Sequence, residues 1–161
     1  IVGLHNIRVL CPVISCYLIN TYRKPIRLYI AGGGEILSFE GTTQGDPLAM
    51  AWYSINTVVL INFLRSKSPK TTQVWLADDA AGASKIQDLF LWFKTLAAEG
   101  VKYGYLVNGP KSWLILKSPE LQEEAQNVFG QTVNITVEGK RHLGAVQGSD
   151  SYKKEYCDEL E

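Results

Sequence analysis

The sequence predicts an α+β domain, with mostly antiparallel strands in a sheet and helices packed on one face of it. Segments with apolar residues every three to four positions alternate with short runs of period two. Turn residues punctuate them at Gly32-Gly33-Gly34, Asn108-Gly109-Pro110 and Glu138-Gly139. In order, the elements read helix, hairpin, helix, strand-turn-strand, helix, strand, helix, hairpin.

Leu4, Ile7, Leu10, Ile14, Leu18 and Tyr22 give one apolar face and predict a helix over 4–23, broken near Pro12. Arg23, Lys24 and Pro25 end it. Residues 27–31 and 35–39 alternate on either side of the triple glycine and predict a β-hairpin. A phosphate loop would need a Lys-Ser/Thr and a helix start after those glycines, and neither follows. Asp46 is an N-cap candidate, and Pro47 suits the first helical position. The helix is expected over 47–65, with Leu48, Trp52, Ile55, Val59 and Phe63 on one face. Residues 66–72 are polar, carry Pro69 and read as a loop.

An apolar run, Val74 to Ala77, then leads into Asp78-Asp79. Residues 84–99 predict a helix with Ile86, Leu89, Phe90, Phe93, Leu96 and Ala97 on one face and Gly100 as a left-handed stop. Residues 103–107 and 112–116 are strand candidates around the Asn108-Gly109-Pro110 turn. Pro119 opens a helix with Glu120, Glu123 and Glu124 at its positive end, closing near Gly130. Residues 132–137 alternate as a strand, and 141–146 are expected to be its hairpin partner across Glu138-Gly139. The tail from Ser149 is charged and compatible with a helix.

The 161 residues suffice for one domain with a real core, and 46% hydrophobic with 20% charged residues is ordinary for a globular domain. Sixteen basic residues balance sixteen acidic ones, whereas a self-sufficient nucleic-acid binder carries a basic excess. Cys11, Cys16 and Cys157 are odd in number and unpaired in spacing. That argues for free thiols in a reducing compartment rather than a disulfide framework or zinc site. No membrane span or secretory signal is evident, so an intracellular location, cytoplasm or nucleus, is expected. The chain starts Ile1-Val2-Gly3 and is expected to be cut from something longer.

Asp78 and Asp79 carry the chemistry. Adjacent carboxylates repel, and a hard dication removes that cost because Mg²⁺ prefers carboxylate and water oxygens. On its own the pair also fits a solvated surface turn. The flanking Ala77, Ala80, Ala81, Gly82 and Ala83 are small and leave space for close approach of a large substrate.

Three features stand in order: Gln44-Gly45-Asp46-Pro47-Leu48 before a long helix, Ala77-Asp78-Asp79 after a strand, and Gly104-x-x-x-Asn108-x-x-Lys111 after the next helix. Together they resemble the palm of retroelement reverse transcriptases, the RNA-directed DNA polymerases, over roughly Gly41 to Gly144. His142-Leu143-Gly144 is similar to that family's turn near the primer terminus. The resemblance implies a polymerase palm-like antiparallel sheet in a partial domain. Residues 1–40 would supply a helix and hairpin, 41–117 the palm core, and 118–161 the C-terminal palm and start of the thumb connection.

It further implies two-metal nucleotidyl transfer with Mg²⁺ or Mn²⁺, a dNTP, a DNA primer and an RNA template. Asp78 would be a direct metal ligand, and Asp79 a second ligand or a tuning charge. Gln44, Gly45 and Asn108 would line the nucleotide site. Lys111 would face the triphosphate and protonate the pyrophosphate, and Leu143 and Gly144 would place the primer backbone. Read singly, Asp46 is also a helix cap, Lys111 a surface lysine, Asn108 a left-handed turn residue, and 143–144 a hairpin turn.

Leu76-Ala77 departs mildly from the bulkier residues common before the family's aspartates. The larger departure is that the family's third aspartate, upstream of the first motif, has no counterpart, since no aspartate precedes Asp46. Glu35 and Glu40 lie too late in the order to replace it. The first palm strand and the fingers are therefore expected upstream, in the rest of a polyprotein, and this chain alone is expected to be inactive. A decayed or co-opted palm that binds nucleic acid or protein without catalysis is the rival reading. A different metal-dependent phosphotransfer domain would need another third ligand, and His5 and His142 are lone histidines.

Overall fold

In a computed structural model that describes residues 2–39, 45–142 and 144–159, the first helical stretch is cut in two as Pro12 requires. Helix α1 spans Val2–Leu10 and α2 spans Pro12–Tyr22, with Pro12 in its first turn. The glycine turn joins β1 (Ile26–Ile30) to β2 (Gly34–Ser38) as an antiparallel hairpin. Helix α3 (Ala49–Lys67) follows, then β3 (Thr72–Leu76) and β4 (Asp79–Ala83), a second antiparallel hairpin. Next come α4 (Ile86–Gly100), β5 (Trp113–Ile115), α5 (Gln122–Phe129) and β6 (Asn134–Thr136). The chain closes with β7 (Gly139–His142), β8 (Ala145–Gly148) and α6 (Asp150–Asp158).

The class is mixed α+β, but among the described residues the strands form four two-stranded ladders rather than one sheet. Three are antiparallel. The fourth pairs β5 with β6 in parallel, Leu114 opposite Ile135. This corrects the expected pairing of 132–137 with 141–146. Glu138-Gly139 does not close a hairpin; β7 pairs instead with β8, Arg141 opposite Val146. The crossover helix α5 makes the parallel pair possible, because parallel strands need a connection long enough to return.

Two cores share α4. On one side Leu60, Leu64, Trp92 and Leu96 are buried, with Trp75, Tyr103 and Tyr105 packed against them. On the other, Ile86, Leu114, Leu116, Ala125, Phe129 and Val133 are buried, with Leu89 and Phe93 reaching both clusters. The predicted α3 face rotates: its inner side carries Thr57, Leu60 and Leu64 in place of Ile55, Val59 and Phe63. The predicted α4 face holds at Ile86, Leu89, Phe90, Phe93 and Leu96, with Trp92 buried beside them and Ala97 exposed.

Gly100 is not a left-handed stop, since its φ is −52°. It is glycine because a Cβ there would sit 2.6 Å from the Tyr105 carbonyl oxygen. The left-handed residue is Gly104, φ 75°, after a short 3-10 turn over Val101–Tyr103. Residues 103–107 are not a strand: Tyr103 ends the 3-10 turn, Gly104 is left-handed, and 105–107 form an irregular connection.

Candidate metal site

The β3–β4 hairpin is built for its aspartates by its two faces. Opposite residues share a face, so Gln73, Trp75, Ala80 and Gly82 point inward, and Val74, Leu76, Asp79 and Ala81 point outward. On the inner face the Gln73 side chain is a hub. Its Oε1 accepts the indole N–H of Trp75 at 3.0 Å and of Trp92 at 3.2 Å, and its Nε2 donates to the Ile61 carbonyl at 3.1 Å. One amide thus ties the hairpin to both α3 and α4.

Gly82 lies under Trp92, where an added Cβ would approach the ring to 3.1 Å. The small inner residues therefore do not leave open space; Trp92 and Leu89 fill it. The openness expected around the carboxylates exists on the outer face alone, where Val74 is 64% and Leu76 59% exposed.

Ala77 and Asp78 make the two-residue turn, with Leu76 paired to Asp79. Ala77 takes φ 52°, left-handed for a residue with a Cβ. Asp78 is exposed and Asp79 half-buried. Tyr105 donates its hydroxyl to the Asp78 carbonyl oxygen at 2.9 Å, and its ring meets Trp75 edge-on, centroids 5.3 Å apart. Burial, the Tyr53 phenol and the charges of Asp79 and Asp78 push Tyr105 up to about 12. Burial also raises Tyr53 on α3, against a lowering hydrogen bond with Thr57, and Asp78 and Asp79 add to the rise. Two phenols thus sit within the electrostatic reach of the carboxylate pair.

The other predicted residues fall around this turn in separate settings. Gly45, φ 93°, is exposed ahead of α3, and Asp46 caps the turn into that helix by accepting the Leu48 N–H at 2.8 Å. The helix itself starts at Ala49, two residues later than expected. Asp46 also accepts from the Tyr22 hydroxyl, and Tyr22 stacks on Trp52 at 5.3 Å. Gln44 and Leu143 lie outside the described residues.

Asn108 is extended, φ −101°, not left-handed; its side chain accepts the Lys111 N–H at 3.2 Å and caps the 3-10 turn Gly109–Lys111. Asn134 pins that turn by donating to the Pro110 carbonyl at 2.7 Å. Lys111 is exposed, and among the described residues no ion pair joins it to either aspartate. Gly144, φ 76°, sits in the β7–β8 turn and accepts from the Tyr156 hydroxyl at 3.4 Å. The Arg141 guanidinium lies 4.5 Å from the centroid of that tyrosine ring.

One exposed and one half-buried carboxylate donor fit a hard dication that completes its shell with water. They are a partial set: among the described residues no cluster of three His, Cys, Asp or Glu side chains forms. Sequence reasoning missed Tyr105, Tyr53 and Gln73. Gln73 had a readable signal, a lone amide leading an apolar strand, because a buried amide must find partners. No protein-family model, no curated protein and no solved structure matches the chain.

Proposed function

We propose that this chain is the palm portion of an RNA-directed DNA polymerase of the reverse transcriptase kind, from a retrotransposon-like element. The observation that supports this most is the Asp78-Asp79 pair at the tip of a two-residue antiparallel turn, docked by Gln73 against α3 and α4. The palm-like reading of the fold belongs to the same proposal. The hairpin, the helix after Gly45-Asp46-Pro47 and the Asn108–Lys111 turn come in the order that such a palm uses.

In the intact protein Asp78 and Asp79 would hold Mg²⁺ or Mn²⁺, which supplies charge stabilisation at the attacking and leaving oxygens. Asp78, the more exposed, is the direct ligand; Asp79 is a second ligand or a tuning charge. The primer 3′-hydroxyl attacks the α-phosphorus, and the bond to pyrophosphate breaks. Lys111, exposed on a pinned turn, gives its proton to the departing pyrophosphate. Gln44, Gly45 and Asn108 line the nucleotide site, and Leu143 with Gly144 positions the primer backbone. The third carboxylate comes from outside this chain, with the fingers that grip the RNA template.

The test is primer extension with Mg²⁺ or Mn²⁺. This chain alone is expected to give no templated product, and a longer form that supplies a third carboxylate is expected to give it. Templated synthesis by the 161-residue chain itself would overturn the assignment of an incomplete site.

The second reading is a co-opted palm that binds nucleic acid or protein without catalysis. The sequence favours it in one respect, since no aspartate precedes Asp46. Asp78→Asn in the longer form separates the two: it abolishes synthesis in an enzyme and leaves a binding module unaffected.

A further inference from the structure

We infer that Tyr105 is a positioning residue: its phenol, donated to the Asp78 carbonyl oxygen, holds the carboxylate-bearing turn in register with the segment that leads to Lys111. The inference rests on reading Asp78-Asp79 as a metal site.

Both ends of this tether are fixed. On the backbone side, the Tyr105 N–H donates to the Gly100 carbonyl at 2.9 Å, and Gly100 has no room for a Cβ against the Tyr105 carbonyl. The left-handed bend at Gly104 turns the chain so that Tyr105 lies against the hairpin. On the ring side, Tyr105 packs edge-on against Trp75, whose indole is itself held by Gln73. The hydroxyl therefore arrives at the turn from a rigid support.

The turn needs such support. It is two residues long, starts on a left-handed Ala77 and carries an exposed Asp78. A carboxylate on a loose turn must be ordered when a cation binds, and holding it beforehand removes that cost. Three residues beyond Tyr105, Asn108 begins the capped turn that ends at Lys111. One short segment thus carries both the tether to the metal-binding turn and the lysine assigned to the leaving group. Neither periodicity nor motif spacing marks Tyr105, since its role depends on a contact 27 residues away in sequence.

The test uses the full chain and Mn²⁺ alone, followed by loss of the free-ion electron paramagnetic resonance signal, with thermal unfolding of the same samples. Tyr105→Phe keeps the ring packing and removes the donor. The expected result is Mn²⁺ affinity up to about fivefold weaker, with the unfolding midpoint lowered by no more than the loss of one hydrogen bond explains. Asp78→Asn is expected to lose binding.

If Asp78→Asn loses binding while Tyr105→Phe binds as wild type, the tether is overturned and the metal site stands. If wild type and Asp78→Asn bind alike, the metal-site reading falls and takes the tether with it. A Tyr105→Phe variant that only unfolds earlier, with affinity unchanged, makes the tyrosine structural and also overturns the inference. Hydrogen exchange of wild type is the check that needs no variant. Residues 77–79 should exchange more slowly than the glycine turn at 31–33, and equal rates would contradict the tether.

Discussion

Gln73 uses three of the hydrogen bonds its amide can make, all on the inner face of the β3–β4 hairpin. Replacing it by Leu leaves two indole donors and a carbonyl without that partner. Unsatisfied buried groups cost about 1–3 kcal/mol each, and of these three only Trp92 is fully buried, so Gln73→Leu should destabilise by about 3 kcal/mol or more, read from urea unfolding. Tyr105 makes a second prediction. Its folded value lies near 12 against an ordinary 10.0, so the fold favours the neutral phenol. The stabilisation is complete below the ordinary value and is lost as pH rises through the folded one. Absorbance titration of the metal-free protein should show a late-ionising tyrosine that disappears in Tyr105→Phe. At this scale the turn at Asp78-Asp79 was legible, because an apolar run breaks off at two turn-forming residues. Tyr105 and Tyr53 were not, because their contacts are made across elements.

Among the elements, the hairpin at 26–38 followed from alternation around a tight turn, the strand before Asp78 from an apolar run, and Pro12 dictated the helix break. The parallel β5–β6 pair did not follow, because a three-residue strand carries no signal for its partner. The α3 face was misread where tertiary packing chose among several apolar stripes, whereas the α4 face held and added Trp92, which covers Gly82. The end of α4 gives a direct test. Gly100→Ala places a methyl 2.6 Å from a backbone carbonyl, which cannot move without shifting Tyr105. Overpacking of this kind costs about 1–3 kcal/mol, and it should also move the tyrosine away from Asp78. Ala77→Gly should act in the opposite direction, relieving a left-handed alanine by roughly 1 kcal/mol in thermal or urea unfolding.

For the molecule as a whole, α4 is the shared wall of two cores, so damage on either side is expected to reach the hairpin. Leu60, fully buried on α3, packs with Trp92 and Leu96 beneath the hairpin. Leu60→Ala should cost about 2–5 kcal/mol, and urea unfolding should show it. The α+β class was readable from the order of helical and alternating segments. The division into four small ladders was not, because strand pairing depends on crossovers and packing that no local pattern records. The tight turn between two strands expected at Asp78-Asp79 is present as a two-residue turn. On the proposed reading two carboxylates are an incomplete two-metal site, and this chain alone is expected to bind a cation weakly and to catalyse nothing.

The most direct measurement is Mg²⁺-dependent primer extension on an RNA template by a longer form that supplies the third carboxylate, with and without Asp78→Asn. Templated DNA product that vanishes in Asp78→Asn is the predicted result. Product that persists undiminished in Asp78→Asn would contradict the polymerase reading of this hairpin.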